Sequence, residues 1–190
     1  MRYVWIILLA SLFVACKPAP PIKTVATDIT GADFAQTLTL TDHTGKRRSL
    51  TDFKGKAVAL FFGYTHCPDV CPTTMADLKQ TMKRLGNRAD ELQVLFITLD
   101  PARDTQAVLA QFVPSFDKRF LGLRGDEQET AVTAATFKVY AKKVESKGRS
   151  DYTIDHSAGM YIFDKAGKIR LYVDYGEKPA DIANDIKQIL

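Results

Sequence analysis

The stretch 55–75 reads GKAVALFFGYTHCPDVCPTTM, and it changes character halfway. Its first part, 55–65, is nearly all apolar after Lys56, the pattern of a strand buried on both faces. Its second part holds two cysteines, Cys67 and Cys71, each followed by a proline. Beyond them Met75, Leu78, Met82 and Leu85 fall on one face of a helix. Pro68 and Pro72 suit a helix start, where no backbone donor is needed. The stretch therefore predicts a buried strand, a loop ending in Cys67, and a helix whose first turn carries Cys71.

Working outward, 36–53 holds two short alternating runs about a TGK turn and predicts a hairpin. The run LQVLFITLD (92–100) predicts a second buried strand. A helix is expected over 104–116, capped by Asp104 and stopped at Pro114. A short strand follows at 120–125, then a helix over 126–144 with acids in its first turn and lysines in its last. The stretch 156–176 predicts a hairpin turning at DKAGK, and 178–190 a final amphipathic helix carrying Ile182, Ile186 and Ile189. Strand–helix–strand–helix followed by a hairpin and a helix is the α/β order of the thioredoxin-like fold. A central mixed sheet flanked by helices is expected, with an N-terminal hairpin and an inserted segment around 120–144 as additions.

The chain has 190 residues, 46% hydrophobic, enough for one domain with a real core. Its net charge is +4, but the basic residues are dispersed, and GKRRS (45–49) and YAKKVESKGR (140–149) are the only dense pieces. A solvated face is the plainer account of both. Neither a nucleic-acid motif nor a phosphate-binding glycine loop occurs, so no nucleic-acid partner is expected.

At the N-terminus, Met1-Arg2 precedes YVWIILLASLFVA, an uncharged run too short to span a bilayer comfortably. It fits the apolar core of a secretory signal. Cys16 follows at once, and then the proline-rich KPAPPIK. A small residue followed by Cys at such a junction resembles the bacterial lipoprotein signal, in which that Cys is acylated. Phe13 stands where that signal usually has Leu; left uncut, the same segment is an anchor instead. The expected organisation is a signal peptide over 1–15, a lipidated N-terminus and tether over 16–30, and a domain over 31–190. The domain would be exported, membrane-tethered and facing the periplasm. Of three cysteines, Cys67 and Cys71 then remain in an oxidising compartment.

Unpaired N–H groups and the positive end of a helix favour a thiolate at such a pair. Cys71 also continues the stripe begun at Met75, which is what a plain core cysteine would do. A permanent disulfide is a third account, although cysteines on adjacent turns direct their Cβ atoms poorly and strain favours a reversible bond. The spacing alone leaves redox and metal work open, with inert structure behind both.

His156, in YTIDHSAGMYIF, enters the hairpin that runs beside the cysteine-bearing helix end in thioredoxin-like folds. Thioredoxins carry a cis-proline in that loop; here no proline occurs between Tyr152 and Phe163. Two thiolates and one imidazole make a soft set that suits Cu(I), and an added ligand admits Cu(II). A structural zinc would want a fourth protein ligand. His66, beside Cys67, ranks below His156 because its position turns it to another face, and His43 in the hairpin turn is expected to be exposed. Asp69, Asp100 and Asp104 are candidates for the site's outer shell or a docking face. A solvated or capping role fits them equally well.

GYTHCPDVCPTT (63–74), TLDPARDT (98–105) and DHSAGMYIFD (155–164) together resemble the Sco/SenC family, over a stretch from about Leu38 to the C-terminus. The resemblance implies a thioredoxin-like fold and a copper site of Cys67, Cys71 and His156. It implies a role in assembling the binuclear copper centre of cytochrome c oxidase subunit II, with other periplasmic copper chaperones or thiol reductants as further partners. Two activities are compatible with it: a copper chaperone, and a thiol-disulfide oxidoreductase in which Cys67 attacks.

Overall fold

The computed structural model describes residues 23–145 and 151–190, so Cys16 and the expected signal lie outside the described residues. Among the described residues no helix is long and apolar enough to cross a membrane.

The apolar run becomes strand β4, Ala57–Gly63, buried at every position. Strand β5, Leu92–Thr98, is equally buried and pairs with β4 in parallel. Strand β6, Leu121–Arg124, continues the parallel set beyond β5. On the other side β9, Met160–Phe163, pairs antiparallel with β4, and β10, Ile169–Val173, with β9. The expected N-terminal hairpin, β2 (Thr39–Asp42) and β3 (Arg47–Ser49), docks on β6. A two-residue strand, β1 (Thr27–Asp28), closes the opposite edge against β10. The result is the expected mixed sheet, in the order β1-β10-β9-β4-β5-β6-β2-β3.

Helix α1, Val70–Leu85, buries Met75, Leu78, Met82 and Leu85 as its spacing predicts. It packs against α4, Pro179–Ile189, which buries Ile182, Ile186 and Ile189. The thioredoxin-like order is thus present. Register then fixes the site. Phe61 of β4 lies opposite Met160 of β9, so the segment entering β9 sits at the end of β4 where the cysteine loop leaves.

Five expectations change. Helix α2 spans Gln106–Phe116 and is capped by Thr105, whose hydroxyl accepts the Val108 N–H at 3.3 Å, not by Asp104. Pro114 does not stop α2, which runs two residues past it, although the proline forgoes the bond its N–H would make one turn back. Buried Val113 and the Phe112–Phe116 ring contact, with centroids 5.2 Å apart, hold the last turn.

Helix α3, Glu127–Thr136, ends well short of 144. Lys138 takes a left-handed conformation (φ 54°), and the Lys138 and Val139 N–H groups return to the carbonyls of Ala135 and Ala134. This is a Schellman ending with lysine where glycine is usual. Lys142 and Lys143 consequently lie on a strand, β7 (Ala141–Glu145), paired only with β8 (Tyr152–His156).

The tether expected over 16–30 is shorter in its described part. Asp185, buried in α4, accepts the N–H groups of Val25 and Ala26, and Ala26 is itself buried. Finally, His43 is half-buried rather than exposed. Its Nδ1 accepts the Gly122 N–H at 3.0 Å while its own N–H donates to the Gly122 carbonyl, fastening the hairpin to β6.

The hairpin turn carries a pH dependence. Asp42 is fully buried. Burial alone would raise its pKa, but bonds from Thr44, Arg48 and Lys46 outweigh it and hold the carboxyl down at about 2. An unfolded Asp titrates near ~3.9. The ionised form is therefore favoured by folding, and its contribution is complete above about pH 4 and lost as pH falls toward 2. The stability gap between wild type and Asp42→Asn should shrink by about 2 kcal/mol between pH 5 and pH 2, read by denaturant unfolding. A gap that stays constant would contradict the assignment.

Candidate metal centre

The loop 64–69 connects β4 to α1. Cys67 lies in it, partly exposed, and Cys71 is the second residue of α1, fully buried. Both are free thiols. As the stretch predicts, Cys67 belongs to the loop and Cys71 to the first turn of the helix. Cys67 precedes the helix, and its sulfur sits 3.4 Å from the Cys71 amide, which donates to it. Burial pushes the Cys71 thiol well up from the ordinary value, and a backbone hydrogen bond involving Tyr64 offsets this only in part.

His156 ends β8, and its Nε2 lies 3.8 Å from the Cys71 sulfur. Its Nδ1 lies 2.9 Å from the Ser157 carbonyl, which can only accept. The proton is therefore on Nδ1, and Nε2 presents a lone pair to Cys71, the tautomer a metal ligand needs. Burial lowers the pKa of His156, so the neutral ring is the form present at neutral pH. The ring is held edge-on by Tyr64 at 6.1 Å and Phe61 at 6.4 Å between centroids.

The fold brings Cys71 and His156 into contact and sets the Cys67 sulfur against the Cys71 amide. Among the described residues no group of three or more His, Cys, Asp or Glu side chains is gathered as a ready metal site. The donor set is open at Cys67, yet its chemistry, two sulfurs and one unprotonated imidazole nitrogen, fits a soft metal ion. A cleft of about 310 Å³ lies over it, lined by Cys67, His156, Pro68, Asp69, Val70 and Asp155 among others. A larger cavity, about 410 Å³, lies between α3 and β7, lined by neither cysteine.

The three expected outer-shell acids separate. Asp69 is exposed at the position before α1, its carboxylate accepts the Thr73 hydroxyl rather than a helix N–H, and it lines the cleft. Asp100 and Asp104 are fully buried, against the solvated or capping roles weighed for them. Asp104 accepts the Thr65 N–H at 3.0 Å and the hydroxyls of Thr65 and Thr98 at 2.6 Å each. His66 is half-exposed, 3.2 Å from the Thr65 hydroxyl and 3.8 Å from Asp104, and does not line the cleft.

Two contributors were not singled out from the sequence. Ser157 supplies the carbonyl that fixes the His156 tautomer. Gly63 leaves room for the Cys71 sulfur, since a Cβ there would lie 2.9 Å from it. A glycine inside a strand is a known sign of close approach.

A sequence model of the SCO1/SenC family matches residues 26–190. The mitochondrial SCO2 homolog of Bos taurus is 39% identical over 138 residues, covering 72% of this chain and 51% of that protein. The chain spans about half the length of the first curated relatives it matches. The structure of Bradyrhizobium japonicum ScoI with copper bound is 40% identical, with a TM-score of 0.74, covering 81% of this chain and 98% of that one. Arabidopsis thaliana ScoI with copper bound is 29% identical, with a TM-score of 0.77, covering 83% and 98%.

Proposed function

The chain belongs to the SCO1/SenC family, and from that premise we propose that it binds copper as cargo and delivers it to the binuclear centre of cytochrome c oxidase subunit II. The observation that carries this is the contact between the Cys71 sulfur and the lone-pair nitrogen of His156, with the Cys67 sulfur against the Cys71 amide. Solved relatives with copper bound support the choice of cargo. Reduced Cys67 and Cys71 lose their protons on loading, and His156 gives up none because Nε2 is already free. Cys67, the exposed limb, is the first ligand a partner thiolate can replace; buried Cys71 is the last. Exchange in that order releases no free ion. The exposed Asp69 belongs to the docking face. Lipidation at Cys16, after removal of 1–15, would hold the domain at the membrane facing the periplasm, where copper chaperones and thiol reductants can reload or reduce it.

The second activity, reduction of the subunit's copper-ligand cysteines, is favoured by the amide directed at Cys67. The Cys67 thiolate would attack the partner disulfide, and Cys71 would then resolve the mixed disulfide. The partner leaves as a dithiol and the chain keeps a Cys67–Cys71 disulfide. Competitive titration of the reduced chain with Cu(I) should give one ion per chain, and the disulfide form should bind none. Equal binding by both forms, or by neither, would overturn the copper assignment. Thiol exchange with a disulfide peptide of the subunit tests the second activity separately.

A further inference from the structure

Asp104 and Arg103 are neighbours in sequence, yet they hold opposite halves of the site. On one side, Asp104 takes the Thr65 N–H and hydroxyl, and so holds the loop that leads to Cys67. The Thr98 hydroxyl, donating to Asp104, accepts the Asp100 N–H at 2.9 Å. On the other side, Asp100 pairs with Arg103 Nε and accepts the Tyr152 hydroxyl at 2.7 Å. Arg103 Nη1 donates to the Tyr152 carbonyl at 3.0 Å and to Asp151 at 2.6 Å. Its guanidinium lies 3.6 Å from the centre of the Tyr152 ring. Tyr152 is the first residue of β8 and His156 the last. Arg103 also reaches the ring of Tyr64, 5.9 Å away, which in turn packs on His156.

We propose that the segment Thr98–Asp104 is a two-armed brace, with Asp104 the positioning residue for the thiol limb and Arg103 the positioning residue for the imidazole limb. The two arms meet through Thr98 and Asp100, both fully buried, in surroundings where hydrogen bonds are strong and misplacement is costly. Arg124 fixes the brace from beneath, donating to the carbonyls of Asp104 and Pro101. A planar fork suits Arg103, because one side chain must reach a carboxylate, a carbonyl and a ring at once. Arg103 is thereby held by Asp100, Asp151 and the Tyr152 carbonyl together.

The metal part of this inference rests on the copper assignment; the positioning part does not. The test compares Arg103→Gln with Thr65→Val in the reduced full chain. Arg103→Gln should speed amide exchange in β8 by about tenfold or more and shift the His156 ring-nitrogen resonances. It should lower Cu(I) affinity by about 10- to 100-fold, the usual effect of losing a ligand's support. Its thiol–disulfide equilibrium should stay within about threefold of wild type. Thr65→Val should show the converse, a moved thiol–disulfide equilibrium with an unchanged His156 spectrum. Both variants changing both limbs alike, or Arg103→Gln leaving His156 untouched, would overturn the brace. Should Arg103→Gln fail to fold, Tyr152→Phe, which removes only the bond to Asp100, decides by the same His156 resonances. A wild type that binds no Cu(I) would sink the copper assignment while the resonance and thiol readouts still judge the brace.

Discussion

His156→Ala is expected to bind Cu(I) at least about a hundredfold more weakly than wild type while keeping a working Cys67–Cys71 couple. Loss of a ligand's outer support costs about 10- to 100-fold, so loss of the ligand itself should reach at least the upper end. The ring contributes a preset lone pair, because the Ser157 carbonyl holds the proton on Nδ1 and burial keeps the ring neutral. Alanine removes that donor and leaves Cys67 and Cys71 with their own contact intact. Two thiolates alone still bind a soft ion, which is why the expected result is a large weakening and not abolition. Cys71→Ser supplies the contrast, since it should lose both tight copper binding and the disulfide. Competition against a chelator of known affinity, with thiol titration of the same samples, reads both quantities. Wild-type affinity in His156→Ala would mean that the imidazole adds little and that the cysteines carry the ion alone.

The parts of this fold legible in the sequence are those that a periodic pattern encodes. Strand β4 had to be buried on both faces because Ala57–Phe62 offers no polar side chain, and α1 had to present Met75, Leu78, Met82 and Leu85 together. That Cys71 and His156 would meet was legible because sulfur and imidazole are rare and their motifs are long. The remainder depended on tertiary facts. Asp104 precedes a helix and has the residue type of a cap, yet Thr105 caps and Asp104 turns inward. The proximity of Thr65, 39 residues earlier, and of the buried Thr98 decides between them. The end of α3 was hidden because the left-handed position is Lys138, and no glycine marks it. The membrane-side features, Cys16 among them, lie outside the described residues.

Gly63→Ala should destabilise the fold by about 1–3 kcal/mol and separate Cys71 from His156. Gly63 needs no unusual backbone; its value is the empty space beside it. A Cβ would stand 2.9 Å from the Cys71 sulfur, 2.9 Å from a Phe96 ring carbon and 3.0 Å from a Phe61 ring carbon. Phe96 cannot retreat easily, because it packs on Phe61 at 6.1 Å and on Phe112 at 5.8 Å between centroids. The backbone of Gly63 is equally fixed, aligned with Thr98 of β5 and bonded to the Leu99 N–H at 2.8 Å. The sulfur is the atom with most freedom to move, and any rotation that clears the new methyl changes its 3.8 Å contact with His156 Nε2. Strain in the core and damage to the donor set therefore arrive together, from one methyl group at a position with no side chain of its own. Denaturant unfolding should show the lower midpoint with an unchanged slope, and Cu(I) competition a weaker site. An alanine variant of wild-type stability and affinity would mean that the end of β4 yields more readily than its packing indicates.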